Sequence, residues 1–134
     1  METERRIFLE LPMRKMLAAV FFIWISVPLA AHHGTGGIYD MEKPITLKGT
    51  VTEFRFVNPH VLVFFDVPGK EGVVRWLASG PSVINWTRTG WNRNSLKAGD
   101  QVVVTLFPAR SGKPEGVVKK MVAANGKEWC CETK

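Results

Sequence analysis

Residues 45–52 read ITLKGTVT, and the alternation in this stretch decides the fold. Ile45, Leu47, Gly49 and Val51 hold one parity, and Thr46, Lys48, Thr50 and Thr52 hold the other. Successive side chains of an extended chain point to opposite faces, so a period of two marks a strand with one face on a core and one in solvent. Past Glu53 the apolar parity moves to Phe54 and Phe56. One extra residue has that effect, so a β-bulge or strong coil is expected there, with Gly49 allowing curvature.

Working outward, Asn58-Pro59 breaks the strand. Residues 60–67, HVLVFFDV, form an expected second strand that is apolar on both faces in its middle and therefore covered on both. Residues 68–72, PGKEG, make a hairpin loop, and residues 73–78 the third strand. The period then changes. Gly80 suits an N-cap, Pro81 the first helical position and Gly90 a left-handed C-cap, while Val83, Trp86 and Thr87 share one face. This predicts a helix of about two turns, with Trp86 plugging it onto a core. Residues 96–100, LKAGD, form a turn into a fourth strand at 101–108. Ser111-Gly112-Lys113-Pro114 is a loop, residues 117–124 are the fifth strand, and Asn125-Gly126 closes it.

Three meandering strands, a helix and a two-stranded hairpin give a mainly β fold, a small five-stranded OB-like barrel with one short helix between strands three and four. A small sandwich would use the same strands. The expected organisation is a barrel over 45–126, a flexible glycine-bearing arm over 32–44 and a tail over 127–134.

Ahead of the barrel, residues 16–31 read MLAAVFFIWISVPLAA, sixteen positions without a charge, preceded by Arg14 and Lys15. A positive flank, a short apolar run and small residues at its exit form the pattern of a secretory signal. A membrane-spanning helix needs about twenty apolar residues, and Pro28 weakens this run further. Residues 1–31 are therefore expected to be a cleaved signal peptide, with Met13 as an alternative start, and the remainder to be periplasmic or secreted with no membrane span. Cleavage after Ala31 begins the mature chain at His32, and cleavage after Ala30 begins it at Ala31.

The whole sequence carries a net charge of +6. From His32 onward fourteen Lys/Arg stand against nine Asp/Glu, leaving +5 on the mature part. These charges are scattered rather than blocked, which fits a solvated face better than a polyanion site. Cys130 and Cys131 are adjacent, and neighbouring cysteines rarely bond to each other. In an oxidising compartment they would bridge two chains, anchor the tail or remain incidental.

The mature chain resembles a family of small exported bacterial proteins of unknown function. The likeness rests on Ala31-His32-His33, Tyr39-Asp40, Lys43-Pro44, residues 46–51 (TLKGTV), Asn58-Pro59-His60, Gly80-Pro81-Ser82, Gly90-Trp91 and residues 95–100 (SLKAGD). Gly34-Thr35 stands where that family has serine and phenylalanine, and Ala98 where it usually has proline. The resemblance implies a periplasmic small β-barrel and supplies no activity.

Three histidines carry the chemistry this sequence offers. A free amino terminus beside histidine chelates Cu(II), because amine, imidazole and backbone nitrogens close small rings. With Ala31 first, His33 is the third residue of that square-planar pattern; with His32 first, its amine and imidazole bind and His60 completes a T-shaped site. The metal ligands expected are thus His32, His33 and His60, with copper as the ion; the alternative is an arm whose histidines touch nothing. Zinc lacks a fourth ligand of the usual spacing. No Ser or Cys has a base and orienting acid of the triad kind, and no glycine-rich loop opens a helix in a phosphate-binding pattern. Glu53 and Asp66 are carboxylates within reach across strands, a common and usually inert arrangement. Trp76, Trp86, Trp91 and Trp129 with Arg75, Arg88 and Arg93 would form a stacking surface; the alternative is that Trp76, Trp86 and Trp91 pack barrel and helix together. Asn85-Trp86-Thr87 matches a glycosylation acceptor by chance.

The function expected is a non-enzymatic binding or accessory module holding copper at its N-terminal histidines. A metal-free protein-interaction adaptor that uses a basic face or an open strand edge is the alternative, and an oxidative copper enzyme comes third. An unknown protein or small ligand is the expected partner, and the compartment disfavours nucleic acid.

Overall fold

A computed structural model describes residues 37–130. The expected signal peptide with its alternative start, His32 and His33, and Cys131 with the last residues of the tail lie outside the described residues.

Six strands and one helix follow in order: β1 (Ile45–Arg55), β2 (Leu62–Gly69), β3 (Gly72–Ser79), α1 (Val83–Arg88), β4 (Gln101–Pro108), β5 (Glu115–Ala123) and β6 (Glu128–Cys130). The sheet order is β3-β2-β1-β4-β5-β6, and β3 also pairs with β5. That last pairing is parallel and joins Leu77–Ser79 to Glu115–Val117. It closes a mainly β, five-stranded barrel with one short helix between the third and fourth strands, as the alternation from Ile45 onward predicts.

The register of β1 on β2 shifts between Val51 and Glu53. Thr52 is the extra residue, which is why the buried parity passes from Val51 to Phe54. Gly49 serves contact rather than curvature alone. A Cβ there would stand 2.6 Å from the Asp66 carbonyl oxygen and 2.8 Å from the Phe65 ring. Across from the bulge, Val51 exchanges hydrogen bonds with the 96–100 turn: its N–H donates to Asp100 O at 2.8 Å, and Gly99 N–H donates to Val51 O at 2.8 Å.

The barrel interior holds Val51, Val63, Phe65, Ala78, Val104, Leu106, Val118 and Met121, all buried. One end is closed by tryptophans. Trp86 from α1 stacks on Trp129 from β6 (centroids 4.4 Å apart, planes at 12°) and meets Trp91 edge-on at 5.3 Å. Each is at most 2% exposed.

The bounds of β2, β3 and β5 differ from the sequence reading by one or two residues, so that β2 and β3 run into the expected 68–72 loop and leave Lys70-Glu71 as its turn. Three further boundaries are set by contacts with other parts of the chain. The helix is capped at Ser82 rather than Gly80, because Gly80 is still tied to the strands, its N–H donating to Val61 O at 2.8 Å. Thr87 is exposed and turns its hydroxyl back to Val83 O at 2.9 Å instead of joining the packed face. Past Gly126 the chain does not leave as a tail. Gly126 takes φ +81°, and the chain returns as β6, pairing Met121 with Trp129. At the other end, residues 37–40 already hold on to the barrel: Asp40 N–H donates to Pro108 O and Arg110 N–H to Ile38 O, both at 2.9 Å.

Candidate functional site

Asn58-Pro59-His60 is the loop between β1 and β2, and residues 80–83 lead from β3 into α1. Four hydrogen bonds join them. Asn58 Oδ1 accepts from Val83 N–H at 3.1 Å, at the first turn of α1, where backbone donors have no helical partner. Val61 N–H donates to Pro81 O at 3.2 Å, and Gly80 N–H to Val61 O at 2.8 Å. The fourth bond comes from His60, whose Nδ1 lies 3.2 Å from Gly80 O. The Asn58–Pro59 peptide is cis.

A carbonyl oxygen can only accept, so the proton of that last bond sits on His60 Nδ1. In the neutral ring Nε2 then carries the lone pair. His60 is exposed. A backbone carbonyl that fixes tautomer and ring orientation through Nδ1–H is the support commonly found behind a metal-binding imidazole. Among the described residues no three of His, Cys, Asp and Glu gather into a metal-holding group. His60 is the one expected ligand within the described residues.

The two carboxylates singled out from the sequence do not face each other across the ladder. Glu53 is opposite Phe64, and Asp66 is opposite Thr50. Each meets an arginine instead: Arg55 Nε donates to Glu53 Oε1 at 2.6 Å, and Arg75 Nε to Asp66 Oδ1 at 3.0 Å. The hydrogen bond from Arg55 and the charges of Arg55 and Arg75 outweigh desolvation and hold the Glu53 carboxyl below its ordinary value. The pKa values of the Arg55 and Arg75 guanidinium groups are raised, chiefly by the hydrogen bonds they donate to Glu53 and Asp66. Arg55 also lies 5.0 Å over the Phe64 ring. These four charges cancel as two ion pairs, Arg55 with Glu53 and Arg75 with Asp66.

The stacking surface is likewise replaced by packing. Trp86, Trp91 and Trp129 lie inside, Trp91 Nε1–H donates to Glu128 O at 3.1 Å, and only Trp76 is partly open. A signal for Trp129 was present: Asn125-Gly126 is a strong hairpin dipeptide, and a hairpin needs a returning strand. The helix-capping role of Asn58 has no signal in the sequence, because its partner lies twenty-five positions away.

None of the curated proteins matches the chain. Among solved structures, the ZRD-deleted mutant of TiaS in complex with agmatine is similar at 20% identity, over 69% of this chain and 23% of that one, with a TM-score of 0.39. The chain spans less than a quarter of that protein, and a likeness so slight carries no argument. A family model described as a family of unknown function (DUF6152) matches residues 21–130. That match takes in β1 to β6 and the loop pair around His60, and the chain belongs to this family of unknown function.

Proposed function

We propose that the chain is an exported, non-enzymatic binding or accessory module of the periplasm or extracellular space, and that its ligand is Cu(II) held by His32, His33 and His60. One observation carries the reading: His60 Nδ1 lies 3.2 Å from Gly80 O, a contact that puts the ring proton on Nδ1 and leaves the Nε2 lone pair of an exposed side chain for a metal. Neutral imidazole nitrogen suits copper above the other common divalent ions. The arm would supply an amine and further imidazoles once a signal peptide over residues 1–31 is removed.

The test begins with mass spectrometry of the mature amino terminus and cell fractionation. Cu(II) is then titrated into the mature wild type, His33→Ala and His60→Ala. Stoichiometric binding with a visible band, lost in His33→Ala and shifted in His60→Ala, supports the reading. Binding no tighter than about micromolar, a cytosolic precursor, or a mature start beyond His33 overturns it.

A metal-free adaptor is the second reading. The support for it is two exposed valines, Val73 and Val74, at the start of β3, where among the described residues β2 is the one neighbouring strand.

A further inference from the structure

The sequence scatters its cations, and the fold gathers four of them at the barrel end that the tryptophans close. Residues 80–100 hold Arg88, Arg93 and Lys97 against a single acid, Asp100. The three cations are exposed, and among the described residues none of them takes part in an ion pair. Asp100 is engaged by its own turn, its Oδ2 accepting from Lys97 N–H at 2.9 Å. The fourth cation, Lys127, comes from the turn between β5 and β6. Its Nζ donates to Gly90 O at 2.6 Å and to Ser95 Oγ at 3.4 Å, and it lies 5.5 Å from the centre of the Trp91 ring. Those contacts seat its charge within the 88–97 segment, while its neighbour Glu128 is neutralised by Lys120 at 2.9 Å. Four cations against one acid leave this end at +3; the other described residues, nine cations against seven acids, reach only +2.

Two aliphatic side chains share this end with the cations. Ile84 is 56% exposed and Val57 50%. Ile84 and Arg88 stand four apart on α1, which makes them neighbours on one helix surface. Val57 is brought alongside by Asn58, whose Oδ1 accepts the Val83 N–H at 3.1 Å. Cations set around exposed aliphatic carbon suit the surface of an anionic bilayer: the carbon enters the headgroup boundary, and each cation near the surface adds its own attraction. Such a surface asks for no shaped pocket. An acidic protein would answer the cations but not the two aliphatic side chains among them.

We propose that this end docks the protein on a membrane surface rich in anionic phospholipid. Ile84 and Val57 enter the headgroup boundary, Arg88, Arg93 and Lys97 meet the headgroups, and Lys127 adds its charge behind them. The docking is peripheral, and it goes beyond the copper reading, which it does not need.

Flotation of the mature chain with vesicles tests this. One set is phosphatidylcholine, the other phosphatidylcholine and phosphatidylglycerol in equal parts, both with a chelator so that copper plays no role. Wild type is compared with the double reversal Arg88→Glu, Arg93→Glu, with the double reversal Lys70→Glu, Lys113→Glu, and with Ile84→Ser. Lys70 and Lys113 precede β3 and β5, whereas α1 and Lys127 follow those strands, so the second reversal changes net charge equally at the opposite end. Wild type is expected to float with the mixed vesicles only, and less so in added salt. Reversing Arg88 and Arg93 is expected to weaken binding about tenfold or more, reversing Lys70 and Lys113 far less, and Ile84→Ser to weaken it several-fold. Every altered position is exposed, and far-UV circular dichroism checks that each variant folds. A wild type that floats no better with mixed than with neutral vesicles, two reversals that lose equally, or an unchanged Ile84→Ser overturns the proposal.

Discussion

Gly80 lies flat against the indole of Trp86: a Cβ at Gly80 would stand 2.6 Å from Cζ2 and 2.7 Å from Nε1 of that ring. The strand-to-helix connection and the barrel plug therefore share one van der Waals surface. Real Cβ atoms do not approach so closely, and the ring, held between Trp91 and Trp129, has nowhere to retreat. Gly80→Ala is expected to destabilise the protein by about 1–3 kcal/mol, the usual cost of overpacking. Urea unfolding followed by tryptophan fluorescence measures it, and an unchanged midpoint would contradict this packing.

β6 contributes Trp129 to the same plug. Trp129→Ala removes a large, fully enclosed ring, and losses of that kind run to about 3–5 kcal/mol. Ending the chain after Gly126 is expected to cost at least as much. Thermal unfolding of both variants checks this; a wild-type midpoint in the truncated chain would restore the view of these residues as a tail.

Asn58 Oδ1 holds the Val83 N–H from a distant loop. Asn58→Ala leaves that donor without its side-chain acceptor, at about 1 kcal/mol for lost caps of this type, while Asn58→Asp keeps an acceptor and is expected to lose less. Hydrogen exchange at the Val83 amide separates a local effect from a global one: exchange should accelerate there before it does in β4.

Glu53 gives the pH response a sign. Its carboxyl is held below the ordinary value in the folded protein, chiefly by the Arg55 hydrogen bond. A depressed carboxylate contributes stability above its unfolded pKa and loses it as pH falls through the folded one. Arg55→Ala is therefore expected to move the Glu53 carbon resonance back toward an ordinary glutamate titration. Glu53→Gln should narrow its difference from wild type as the solution is acidified. Both effects shrink with added salt, since the pair is exposed. Carbon-detected NMR titration reads the first directly.

Much of the barrel is legible in the amino acids because its determinants are local. The alternation from Ile45 to Val51, the parity change at Glu53 and the helical spacing of Val83 and Trp86 each report on neighbours within a few residues. The 101–108 strand has the same bounds in sequence and structure. What escapes is long-range. The shift of the helix start to Ser82 depends on Gly80 being captured by Val61, and the inclusion of β6 depends on a gap that Trp129 fills beside Trp86. The candidate site divides in the same way. A Pro-His turn is visible at residues 59–60, but the carbonyl that orients His60 belongs to Gly80, twenty positions on.

The stack of Trp86 on Trp129 also bears on when this protein can become itself. In order of synthesis, everything through Gly126 can pair five strands, yet one broad face of Trp86 stays bare until the segment from Glu128 arrives. Maturation from the amino end is thus held open by a late latch. A chain halted short of Trp129 would leave that face of the indole without its stacking partner.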